Sequence, residues 1–259
     1  HDNTNWTVIN RVFTNANVAP GQQHTYTYNV TAPATPGTTA FQWRMVHEGV
    51  MWFGDFTPNI DVTVNALPAS LKALWRFEEA SGTIANDTAP GTAQNASLLN
   101  APTRIVGRSG NALQFNGTNQ YLQVASAVDI NPTAAITLAV WAKSDPTRTV
   151  WNTSQTFLSK RNAYILGPVN STTKSVQFQL YIAGAWKTLS FTPTIDITQW
   201  HHYAATYDGA NMKLFIDGAQ VGANKAQTGA INADTGVLTL GRDDGQARYL
   251  KGMLDEARI

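Results

Sequence analysis

Alternation of period two, interrupted at short intervals by glycine-bearing turns, is the feature that most restricts how this chain can fold. In Val176-Gln177-Phe178-Gln179-Leu180-Tyr181-Ile182 the aliphatic residues and Phe178 fall on one side, and Gln177, Gln179 and Tyr181 on the other. Ile136, Leu138 and Val140 oppose Thr137, Ala139 and Trp141, while Met212, Leu214 and Ile216 oppose Lys213, Phe215 and Asp217. Tyr26, Tyr28 and Val30 likewise share a face. Successive side chains of a strand point to opposite faces, so these segments predict half-buried antiparallel strands. Pro20-Gly21, Pro36-Gly37, Asn116-Gly117, Asp208-Gly209, Asp217-Gly218 and Asp244-Gly245 provide the positive-φ residue that tight hairpins require. No helical stripe exceeds a turn or two, so the fold expected is all-β.

A length of 259 residues exceeds one ordinary β-sandwich and predicts two unequal domains. The boundary falls at Asn65-Ala66-Leu67-Pro68-Ala69-Ser70, between the strand ending at Val64 and a new apolar run at Leu71. The expected domains are therefore residues 1–66 and 71–259. Charged residues form only 14% of the chain, against roughly a quarter in an average soluble protein. Its polar surface must come from Thr, Asn, Gln and Ser, and a net charge of +1 provides no field for gathering polyanions. Nucleic acid is excluded as the expected partner. With no apolar run of membrane-spanning length, membrane insertion is excluded too. Cysteine is absent, which removes disulfides, thiol catalysis and thiolate metal sites.

Within 71–259 a succession of motifs appears in order. Leu74-Trp75-Arg76-Phe77-Glu78-Glu79 opens it, followed by Gly110-Asn111-Ala112-Leu113-Gln114-Phe115-Asn116-Gly117. Trp200-His201-His202-Tyr203 through Asp208-Gly209, Lys213-Leu214-Phe215-Ile216-Asp217-Gly218, Leu240-Gly241-Arg242 and Gly252-Met253-Leu254-Asp255-Glu256-Ala257-Arg258-Ile259 complete it. This region resembles the laminin-G-like jelly-roll family of the concanavalin A-like lectin and glucanase fold. The resemblance implies an antiparallel jelly-roll sandwich that binds glycans, mediates adhesion or acts as a spacer. Residues 1–66, with Trp6, Trp43 and Trp52, resemble the later portion of an immunoglobulin-like four-tryptophan domain. That implies an incomplete sandwich whose open edge neighbouring copies of the chain would complete by strand addition. A secreted or bacterial cell-surface protein, one that forms an extracellular filament in the second reading, is the expected setting.

For chemistry, a glycosidase needs two convergent carboxylates. Glu48, Glu78, Glu79 and Glu256 are the only glutamates; adjacent Glu78 and Glu79 face opposite ways on a strand, and no alternating acidic triplet exists. A non-catalytic module is expected. His201 and His202 also alternate, which predicts one packed in the core and one facing water. The family resemblance further implies a structural calcium ion at Glu78, Asn116, the Gly117 carbonyl and Asp255, oxygen donors suited to a hard cation. For a polysaccharide ligand, an aromatic plate beside polar groups is required. Trp75, Trp141 and Trp200 lie in strand motifs and are expected in the core. Trp151 and Trp186, in loop-like and hairpin segments, are the expected plates, with Tyr164 and Arg242 as partners.

Overall fold

The computed structural model describes residues 6, 12–13, 16–28, 30–33, 35–151, 155–168, 172–243, 245–246 and 248–259. The chain divides into two compact units, residues 1–67 and 68–259.

In the first unit, β1 (Gly37–Phe41) pairs antiparallel with β4 (Ile60–Val64), and β2 (Met45–His47) forms a hairpin with β3 (Met51–Phe53). Aromatic edges hold it together. The Trp6 indole lies 4.9 Å from Phe41 and donates to the Ala40 carbonyl at 3.0 Å; Trp43 meets both Phe41 and Tyr28. Tyr26, Tyr28 and Val30, expected on a strand, join no sheet. Val50, Met51, Phe53, Phe56 and Ile60 are exposed.

The second unit is a jelly-roll sandwich of two eight-stranded antiparallel sheets. One sheet runs β15 (Ala185–Phe191), β14 (Val176–Ile182), β13 (Tyr164–Gly167), β12 (Leu158–Lys160), β19 (Leu238–Leu240), β10 (Tyr121–Val124), β7 (Ala96–Leu99), β6 (Ile84–Ala85). The other runs β18 (Ala219–Ala226), β17 (Asn211–Ile216), β16 (His201–Tyr207), β11 (Ile136–Ser144), β22 (Lys251–Arg258), β9 (Asn111–Asn116), β8 (Thr103–Val106), with β5 (Leu74–Trp75) also paired to β22. A small hairpin, β20 (Arg242–Asp243) with β21 (Arg248–Tyr249), projects from the first sheet. The single helical element described is a 3-10 turn at Val128–Ile130. Among the described residues no helix is long and apolar enough to cross a membrane.

Registers explain why the alternating pattern closes a core. Leu98, Leu122, Leu240, Leu158, Leu166, Phe178 and Leu189 form one transverse row across seven strands of the first sheet. All seven face the second sheet, which presents Leu138, Val140, Tyr203, Ala205, Leu214 and Leu254. A one-residue slip in any strand would turn its member of the row away from the core, so burial of this row pins the register. The turns fit as well: Ala183-Gly184 and Asp217-Gly218 join hairpins paired right up to the turn, with φ of 51° and 75°, and 51° and 81°. Two consecutive positive φ values are the type I′ signature, whose twist matches that of the strands.

Candidate functional site

The residues next to that leucine row point the other way. Ser97, Gln123, Thr239, Ser159, Ile165, Gln179 and Thr188 are in register across the same seven strands, spanning roughly 30 Å of the sheet's outer face. Six of the seven are polar, and together they form a strip of hydroxyls and amides with no charge.

The β20–β21 hairpin divides this strip. The Thr239 hydroxyl reaches the Arg242 carbonyl at 2.6 Å and the Ser159 carbonyl at 3.2 Å, and both Thr239 and Ser159 are sealed from water. Asp243, also buried, stands between Arg161 at 3.6 Å and Arg248 at 3.7 Å, which ties the hairpin down to the sheet. The Arg242 guanidinium lies over Tyr121 (4.6 Å) and near the Tyr249 ring (5.5 Å). It therefore serves as a packed joint at the hairpin base.

Beyond the hairpin Ile165 on β13 is still buried, and the strip opens on β14 and β15. Gln179 donates to Gln177 at 3.1 Å and to the Thr188 hydroxyl at 3.2 Å, so its amide is held in one orientation. Directly paired across β14 and β15, Tyr181 and Trp186 have ring centroids 5.2 Å apart at 68°. Both are half-exposed. An aromatic corner beside fixed amides and a hydroxyl can stack on the apolar face of a pyranose or furanose and satisfy its hydroxyls.

The residues named from sequence fare differently. Trp186 lies in this corner. Trp151 does not: it is fully buried, packed edge-on to Phe157 (5.1 Å) and Tyr203 (6.2 Å), with its backbone N–H donating to the Thr173 carbonyl at 3.1 Å. Tyr164 is also buried, on the core side of β13, with its hydroxyl donating to the Ile130 carbonyl at 2.9 Å. Burial raises that phenol's pKa. Neither ring can be a sugar plate. Arg242 lies over Tyr121 on the interior strand β10, several strands from Trp186 on the edge strand β15. Two tryptophans expected in the core, Trp141 and Trp200, are half-buried on the outside of the second sheet, covered by Arg108 at 4.9 Å and Lys143 at 5.1 Å. The two histidines do not divide into core and solvent. His201 pairs with Asp217 at 2.7 Å, and His202 leans on Trp141 at 5.3 Å, both half-buried.

The four oxygen donors expected around calcium do not form one cage. Asp255 Oδ2 accepts the backbone N–H groups of Arg108 (2.8 Å) and Ser109 (3.0 Å), and Glu78 accepts that of Asn111 (3.1 Å). Both carboxylates thus grip the turn between β8 and β9. Asn116 is paired with Lys251, four positions before Asp255 and so roughly 13 Å along the strands. Its side-chain oxygen accepts from Thr118 and Asn119 inside its own turn, and Gly117 packs against the Lys251 side chain. Among the described residues no three His, Asp or Glu side chains cluster as metal ligands. Asp255 Oδ1 is buried with no hydrogen-bond partner, and burial pushes this carboxyl up to about 6.

Reasoning from sequence missed Tyr181, Gln177, Gln179 and Thr188. Their signal was present, since the polar positions of a strand whose other face is core must lie on an outer face.

With the sandwich and its face described, relatives can be compared. The family model Laminin_G_3, described as concanavalin A-like lectin/glucanases superfamily, matches residues 116–259, over half of the chain. This chain belongs to that family. A curated relative, pappalysin-1 of Mus musculus, is 31% identical over 137 residues, a match that covers 46% of this chain and 8% of that protein. Among solved structures, domain 4 of AbnA, a GH43 extracellular arabinanase from Geobacillus stearothermophilus in complex with arabinotriose, superposes with a TM-score of 0.57. It is 16% identical and covers 73% of this chain and 90% of that one. The binding domain of Paraclostridial Mosquitocidal Protein 1 gives 0.57 at 11% identity, covering 74% and 49%. The botulinum neurotoxin serotype G binding domain gives 0.56 at 11%, covering 73% and 47%. At these identities the likeness is one of fold. The family is typically a binding module.

Proposed function

We propose that residues 68–259 form a non-catalytic carbohydrate-binding module of a large secreted or cell-surface bacterial protein. The observation that carries this reading is the Tyr181–Trp186 corner beside the ordered Gln177, Gln179 and Thr188. A neutral, hydroxyl-rich chain is the ligand such a surface suits. The arabinanase domain of the same fold, solved with arabinotriose, supports it. The contribution is recognition without bond cleavage: Asp243, beneath the face, is buried and ion-paired with two guanidinium groups that tie the hairpin to the sheet. A glycan array followed by titration calorimetry tests this. Trp186→Ala with Tyr181→Ala should weaken the best glycan at least about tenfold, the loss of one stacked ring pair. Full binding by that double variant would remove the site.

One observation favours a second role for residues 1–67. Val50, Met51, Phe53, Phe56 and Ile60 leave apolar surface in water, which a neighbouring copy of the chain would cover in a surface fibre. Sedimentation velocity across a concentration series separates the roles; a monomer at every concentration would end this second reading.

A further inference from the structure

Outside the aromatic corner lies a cavity of about 370 Å³ lined by Thr147, Arg148, Thr149, Val150 and Lys251. We infer that it is a second binding site, for a sugar unit carrying an oxyanion, either a uronate carboxylate or a sulfate ester. Its volume is at the small end of the range for ligand sites, which suits one or two sugar units. Two cations and two hydroxyl-bearing threonines line it, with a single aliphatic side chain.

Arg148 carries the argument. Among the described residues its guanidinium has no ion pair and no hydrogen-bond partner, although it is half-buried beside the cavity. Its backbone is nevertheless fixed, because its N–H donates to the Asp145 carbonyl at 3.0 Å and closes a tight turn. Lys251 is fixed too: its N–H donates to Gln155 at 3.2 Å, and its side chain packs on Gly117. Among the described residues the carboxylate near them is Asp145, and its oxygens are already engaged. It accepts the N–H and the hydroxyl of Thr147, the latter being the main cause holding its pKa below the ordinary carboxylate value, and it meets Lys251 at 3.8 Å. Asp145 feels the charge of both cations, but one carboxylate cannot neutralise two, and among the described residues it makes no ion pair or hydrogen bond with the Arg148 fork. A guanidinium presents parallel N–H donors matched to two oxygens of a carboxylate or sulfate. Hydroxyls of Thr147 and Thr149 would then meet ring hydroxyls, and Val150 an apolar edge of the ring.

The full chain should be titrated calorimetrically with digalacturonate, a monosulfated disaccharide and a neutral disaccharide. Arg148→Gln should weaken one or both acidic ligands about tenfold while its melting temperature stays at the unsubstituted value. Lys251→Gln should give a smaller loss. Lys213→Gln removes the same charge on another strand and should change nothing. Trp186→Ala should leave the acidic disaccharides unaffected, so failure of the neutral-glycan site and failure of this one are separable. Response to only the uronate or only the sulfate identifies which oxyanion the cavity takes, and either supports it. Equal losses for Arg148→Gln and Lys213→Gln, or no binding of either acid at low salt, would overturn the inference.

Discussion

The two units of this chain use similar alternating sequences and reach opposite outcomes for their large apolar side chains. In the jelly roll Trp75, Trp151, Phe157 and Tyr203 are sealed, whereas in residues 1–67 Met51, Phe53, Phe56 and Ile60 stay in water. Strand pattern is common to both. The difference lies in the opposing layer: among the described residues the jelly roll sets eight strands against eight, while the first unit shows two separate two-stranded sheets. An apolar face becomes a core only when another face covers it, and two-stranded sheets have little stability alone.

The sharpest way to break this contrast is Trp151→Ala. Loss of a buried indole should cost about 3–5 kcal/mol, seen as a fall in the calorimetric transition of the jelly roll alone. An unchanged transition would mean that Trp151 is not part of the sealed core.

Next in size is a pH effect confined to the jelly roll. Asp255 is buried and its folded pKa, about 6, lies above its ordinary value of 3.8, so the folded form binds its proton more tightly than the unfolded chain does. The stabilisation this supplies is complete below pH 3.8 and is lost as pH rises through about 6. Asp255→Asn keeps an oxygen for the Arg108 and Ser109 N–H groups without a charge. It should remove this pH dependence, and its stability relative to the parent should improve by roughly 2–3 kcal/mol between pH 4 and pH 7. Denaturant midpoints measured across that window check the sign; a parent whose advantage grows with pH would refute it.

Smaller still is the effect of Trp186→Ala on folding, expected below about 1 kcal/mol because the ring is half-exposed, even as glycan binding falls. Met51→Ser, at an exposed position of the first unit, should change stability by no more than about 0.5 kcal/mol. A large loss there would show that residues 1–67 hide a core of their own, and the contrast between the units would fail.

Much of the jelly roll was legible beforehand. The Val176–Ile182 alternation appears as a strand with Gln177, Gln179 and Tyr181 outward, and the Asp217-Gly218 signal is a type I′ turn. The candidate site was less legible. Looking for plates outside the strands selected Trp151, which is buried in the core, and passed over Tyr181, which a regular strand presents outward. Arg148 left no signal, since its meaning depends on Lys251, over a hundred residues away, lining the same cavity.

By itself the sequence determined the all-β class, the inward side of the strands named above and the hairpin turns, because these follow from alternation and local backbone preference. Only the tertiary structure decided which outward side chains meet water. Ser159 and Thr239 lie beneath the hairpin while Gln179 and Trp186 stay open, and Glu78 and Asp255 grip one turn while Asn116 builds another. A strand's own residues set the direction of a side chain; what covers it, and which distant group stands beside it, is set by neighbouring strands and overlying loops.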